Sequence, residues 1–123
     1  MLFVVDLLCY DNIISGDNEM IERIQVFDGT INDKSFSETT IVLFLSNISK
    51  FRQKLAHSPL EAHFPDYDGG EDGDRAAEYL LGQFKQVDRS QRNRLYAHLV
   101  DPYDTSNIHL VAAAIIDKEM RVV

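Results

Sequence analysis

Three groups of residues carry enough polar chemistry to be weighed as sites. The run from Phe64 to Asp74, Phe-Pro-Asp-Tyr-Asp-Gly-Gly-Glu-Asp-Gly-Asp, crowds carboxylates and glycines as a calcium loop does. Its spacing fails the EF-hand pattern, because with Asp66 in first place the invariant turn glycine would fall on Glu71. A solvated, turn-rich acidic loop is the reading that remains. The histidines, His57, His63, His98 and His109, are scattered, with no partner at i+4 and no triad motif. Surface or satisfied-core positions suit them better than metal ligation or acid/base work. The third group, Ser46, Asn47 and Ser49, follows a strongly apolar run. Such side chains close strands and cap short helices, and loops beyond the carboxyl ends of strands are also where open α/β sheets bind ligands. Both roles are open at this point. Ser15-Gly16-Asp17 reads as a turn, and Cys9, the lone cysteine, as a packing residue.

Composition narrows the classes. With 123 residues, 45% of them hydrophobic and 26% charged, the chain reads as one globular unit. A formal net charge of −8 argues against nucleic acid, whose phosphates need clustered Lys and Arg. No apolar run approaches the roughly 20 residues that span a bilayer, and Met1 to Val5 is too short, and too soon followed by Asp6, for a signal peptide. One cysteine and no zinc spacing fit a reducing compartment. The chain also starts inside an apolar stretch, as though the preceding part of a domain lay upstream.

The elements that must position these residues follow from periodicity. Leu2 to Leu7 is an apolar run broken by Asp6, which suits a strand covered on both faces. From Asn18, Met20, Ile21, Ile24, Phe27 and Ile31 recur at helical spacing, predicting a helix that ends near Asn32. Thr39 to Leu45 is the clearest strand, and it reads as buried on both sides. Ser49 to Leu55 predicts a short helix closed by Ser58-Pro59. Arg75 to Val87 predicts a helix with Ala76, Ala77, Leu80, Leu81 and Phe84 inward, weakened by Gly82 by roughly 1 kcal/mol relative to Ala. Leu95 to Val100 is a third strand, and Asn107 to Met120 a final helix. Alternation of this kind predicts an α/β fold with about three parallel strands and flanking helices.

Several spaced motifs resemble one family. Tyr10-Asp11, Glu19-Met20 and Phe27-Asp28 fit it near the start, and Phe36-Ser-Glu-Thr-Thr-Ile-Val-Leu-Phe-Leu resembles its run from helix into strand. Ser58-Pro59-Leu60 and Phe64-Pro65-Asp66-Tyr67 resemble its Ser-Pro-Leu and Phe-Pro-Glu-Tyr-x-Gly. Tyr96-Ala97-His98 and Asp104-Thr105-Ser106-Asn107-Ile108 resemble its Tyr-x-His and Asp-Thr-x-Asn-Ile. The family is that of heterotrimeric G-protein alpha subunits, and residues 1–123 resemble the C-terminal portion of its GTPase domain. The resemblance implies a partial Ras-like (P-loop NTPase) three-layer sandwich. It also implies GTP or GDP with magnesium as ligands, beta-gamma subunits, receptors or effectors as partners, and a cytoplasmic location reaching the inner face of the plasma membrane through them.

The residues that match the family's base-reading positions are altered. The specificity carboxylate falls on Ser49, and the Asn and Lys before it fall on Ser46 and Asn47. A carboxylate accepts two charge-assisted hydrogen bonds from a guanine edge, whereas a hydroxyl offers one weaker contact. The second base loop, Thr-Cys-Ala-Thr in the family, falls on Val100, Asp101, Pro102 and Tyr103. Pro102 has no N–H to donate, and Asp101 adds a negative charge. Nothing in the sequence resembles a P-loop or the switch segments, so the magnesium site is expected to be absent and hydrolysis by this chain alone is not expected. Two expectations follow: an alpha-subunit-like segment inactive toward nucleotide in this form, or a vestigial interaction module that keeps the sheet and helices for partner binding. If further strands normally flank Leu2 to Leu7, that strand is an exposed edge that invites self-association.

Overall fold

The computed structural model describes residues 1–89 and 95–101. In chain order these form strand β1 (Leu2–Asp6), a small hairpin of β2 (Ile13–Ile14) and β3 (Asp17–Asn18), helix α1 (Glu19–Ile31), strand β4 (Ile41–Ser46), helix α2 (Ile48–Lys54), helix α3 (Gly73–Gln86) and strand β5 (Leu95–Val100). The main sheet has the order β1-β4-β5, and both pairings are parallel. The expected α/β architecture is therefore present. The helix expected at 107–120 lies outside the described residues, as do Pro102 and His109.

Local chemistry sets the boundaries. Asn18 caps α1 by accepting from the Ile21 amide at 3.1 Å, and Glu19 and Glu22 place negative charge in the first turn, where the helix dipole favours it. At the other end, Asn32 donates to the Asp28 and Val87 carbonyls, while Arg89 pairs with Asp28 at 3.0 Å, so the ends of α1 and α3 are tied together. Ser15 and Gly16 both have positive φ, 53° and 87°, which is the geometry of a two-residue hairpin turn. The expected turn is there, with a short ladder that the sequence had not announced.

Among the described residues the main core cluster lies on one face of the sheet. Val5, Ile41, Leu43 and Leu45 pack there against Met20, Phe27 and Ile31 of α1, Phe51 of α2 and Leu80 and Phe84 of α3. Phe27 sits at the centre, edge-on to Phe3 at 5.0 Å and to Phe84 at 5.4 Å. Burying a large apolar side chain of this kind contributes about 1.5–3 kcal/mol. Burial also pushes the Cys9 thiol up to about 12, with Glu19 and Asp6 adding to the effect, so the cysteine is an inert packing residue.

The opposite face corrects two expectations. Strand β4 is buried on both sides as its composition implied, Phe44 being 1% exposed. Strand β1 is not: Leu2 is 56% exposed and Val4 60%. An apolar run records that a strand can be covered, not which layer covers it, and β1 stands at the sheet edge with β4 as its sole neighbour among the described residues. His98, expected to be at the surface or satisfied, has a buried Nε2 without a hydrogen-bond partner among the described residues. Its ring packs on Phe44 at 6.0 Å.

Candidate functional site

The sequence placed its candidate site beyond the carboxyl ends of the strands, and the parallel register brings those ends together. Asp6 of β1 pairs with Ser46 of β4, which pairs with Val100 of β5. Asn47, Ser49 and Asp101 extend from these ends. Asn47 bonds back to Asp6, and Ser49 bonds to Asp101.

Asn47 takes the left-handed conformation, φ 67° and ψ 35°, at the first turn of α2, a conformation that Asn tolerates better than most residues. Its side chain makes no cap. Instead Nδ2 donates to Asp6 Oδ1 at 2.8 Å, an oxygen that also accepts from the Leu8 amide at 2.9 Å. Ser46 Oγ turns back to the Val5 carbonyl at 3.4 Å. The cap that neither supplies comes from β5: Asp101 accepts from the Ser49 amide at 3.0 Å and from the Ser49 hydroxyl at 2.7 Å, one bond to each carboxylate oxygen. These two bonds, the amide first, hold the Asp101 carboxyl below its ordinary range. Both partners are solvent-accessible, so the pair is a surface clamp between α2 and β5.

The other end of α2 is anchored by residues that the sequence had not singled out for a role. Lys54 Nζ donates to Asp11 Oδ1 at 2.7 Å and to the Leu8 carbonyl at 3.3 Å, and lies 5.4 Å over the Tyr10 ring. Ser58 Oγ donates to Asp11 Oδ2 at 2.8 Å, and the Tyr10 hydroxyl donates to the Ser58 carbonyl at 2.6 Å. Burial alone would raise the Asp11 carboxyl, but the bonds from Lys54 and Ser58 outweigh it and leave the group below its ordinary value. Tyr10-Asp11 and Ser58-Pro59 are both legible motifs, and their meeting across the fold was the missing information.

The acidic loop is consumed by local structure. Asp72 caps α3 by accepting from the Asp74 and Arg75 amides at 3.0 and 3.3 Å. Asp74 pairs with Arg52 at 2.7 Å. The Tyr67 hydroxyl closes the loop on the Gly70 carbonyl at 3.0 Å, and a Cβ at Gly69 would stand 2.5 Å from that hydroxyl. A larger residue at Gly69 would therefore have to displace the Tyr67 ring.

A parallel sheet crossed over by helices, with its polar loops gathered at the strand carboxyl ends, defines a partial Ras-like α/β domain. The chain belongs to the G-protein alpha subunit family, whose sequence profile matches residues 1–119. It is 47% identical over 118 residues to the guanine nucleotide-binding protein alpha-3 subunit of Neurospora crassa, covering 94% of this chain and 33% of that protein. The alpha-2 subunit of Kluyveromyces lactis is 43% identical over 118 residues, covering 94% of this chain and 21% of that protein. The alpha-2 subunit of Saccharomyces cerevisiae is 42% identical over 118 residues, with 94% and 26% covered. The chain therefore spans about a third or less of the length of these curated relatives.

Proposed function

We propose that this chain is a G-protein-alpha segment, the C-terminal portion of the GTPase domain, that does not read guanine in this form and acts through its surfaces. What carries the reading is the Ser49–Asp101 pair. By resemblance Ser49 stands where the family places the carboxylate that accepts from the base. Here that position donates, and both of its donors are spent on Asp101. Losing a charged acceptor at the base costs on the order of 1.5–3 kcal/mol of binding, before the clamp itself has to open. The residues present do not fit guanine, and neither binding nor hydrolysis of GTP is assigned to this chain alone.

Calorimetric titration of the full chain with GDP, GTP and ATP, each with magnesium, tests this. No heat of saturable binding is expected from any of the three. Micromolar, guanine-selective binding would end the proposal.

The interaction-module reading draws support from β1, whose outer edge has no strand beside it among the described residues and whose Leu2 and Val4 are exposed. Such an edge pairs with other strands, so the isolated chain is expected to self-associate. Sedimentation at several concentrations checks it, and a monomer throughout would count against it. Partners of the family's classes, beta-gamma subunits, receptors or effectors at the cytoplasmic face of the plasma membrane, belong to the same proposal.

A further inference from the structure

Two clefts, of about 470 and 330 Å³, lie along α1. They share Ile21, Gln25 and His63, so they form one groove, walled by α1 on one side and by the segment around residues 62–66 on the other. It reaches from the β2–β3 hairpin at one end to α3 at the other. No residue of the Ser49–Asp101 clamp lines the groove.

Its lining combines two features. Ile13, Ile21 and Ile24 present an apolar strip, with Ile13 52% and Ile21 40% exposed. Around that strip stand Asp17, Glu22 and Asp66, all exposed, and the lining contains no lysine or arginine. Arg23, the nearest cation on α1, pairs with Glu19 at 3.9 Å and is not part of the lining. An apolar strip left in water is stabilised by a ligand that covers it. Carboxylates on its rim, within a chain of net charge −8, favour a ligand of opposite charge and repel an anionic membrane surface.

We propose that this groove docks a basic amphipathic helix of a protein partner, its apolar face on Ile13, Ile21 and Ile24 and its Lys and Arg residues over Asp17, Glu22 and Asp66. The proposal deepens the interaction-module reading and rests on it. A helix in a groove meets its host through its own side chains at i, i+3, i+4 and i+7, so the partner's apolar residues are expected to recur at that spacing.

The test uses the full chain and a labelled peptide of about 14 residues, roughly four helical turns, with Leu on one face and Lys on the other. Two controls accompany it, the same peptide with Glu for Lys and a scrambled peptide of identical composition. Fluorescence anisotropy is expected to show saturable binding of the basic amphipathic peptide alone, weakening as salt is raised. Ile21→Ala is expected to weaken it about fivefold or more. The triple variant Asp17→Asn, Glu22→Gln, Asp66→Asn is expected to weaken it at low salt and to flatten its salt dependence. Val26→Ala, on the exposed side of α1 outside the groove, should leave it unchanged. Circular dichroism melts establish that each variant is folded, and the exposed positions chosen make unfolding an unexpected result.

Equal binding of the acidic or scrambled peptide, or no effect of both groove variants, overturns the proposal. So does the absence of saturable binding. If calorimetry with nucleotides is silent and the peptide fails, the groove assignment falls while the loss of guanine reading stands. Guanine-selective binding would instead remove the earlier reading, whatever the peptide does.

Discussion

The two ends of α2 are held by the same chemistry and are not equivalent. At its start, the Asp101 carboxylate takes two bonds from Ser49 in the open. At its end, the Asp11 carboxylate takes one bond from Lys54 and one from Ser58, and this network is partly buried and braced by Tyr10. Each carboxylate is held below its ordinary value. Water competes more at the first end than at the partly buried second, so equal bond counts carry unequal free energy. The buried end fixes where α2 sits. The exposed end engages both Ser49 donors within the fold.

The largest expected break in this comparison is Asp11→Ala, which removes the acceptor of the Ser58 hydroxyl and leaves the Lys54 ammonium only the Leu8 carbonyl. Urea unfolding should show a loss of about 2–3 kcal/mol. Acidification sharpens the same point. The folded Asp11 carboxyl titrates below its unfolded counterpart, so its contribution is complete above about pH 3.9 and disappears as pH falls through the lower, folded value. The gap in stability between the wild type and Asp11→Asn should therefore close on acidification below about pH 4. A gap that stays constant would show that the ionised carboxylate is not the source.

Tyr10→Phe removes the bond to the Ser58 carbonyl and leaves the ring in place against Phe51, so a loss of about 1 kcal/mol is expected. Gly82→Ala, inside α3 and away from both ends, is expected to gain about 0.5–1 kcal/mol, because nothing lies within 4 Å of the added Cβ. Thermal melts of both variants test this, and a destabilised Gly82→Ala would mean that α3 is strained there. Asp101→Asn should shift the urea midpoint least of all, and added salt should shrink the shift further.

How much of this was legible in the sequence depended on how local the signal was. Strand β4 and the buried faces of α1 and α3 were readable because period and side-chain type act over a few residues. The cover of β1 was misread because Leu2 and Val4 are as apolar as Val5, and the layer beside a strand is not written in the strand. Ser49 and Asp101 were each picked out by resemblance, as separate base-side positions. Their bond was invisible, since the residues are 52 apart in sequence and meet through the parallel register of β4 and β5. Lys54 and Asp11, 43 apart, were missed as a pair for the same reason. Asp101, read from the sequence as an unhelpful charge, proves to be the acceptor that caps α2.

The most direct test of the central claim is nuclear magnetic resonance of the Asp101 carboxyl carbon and the Ser49 amide through a pH titration, with and without excess GDP and magnesium. The account predicts that Asp101 titrates below the ordinary aspartate range, that the Ser49 amide follows the same midpoint, and that GDP changes neither. An ordinary Asp101 midpoint with no response at Ser49 would contradict it, as would saturable shifts at both residues produced by GDP and not by ATP.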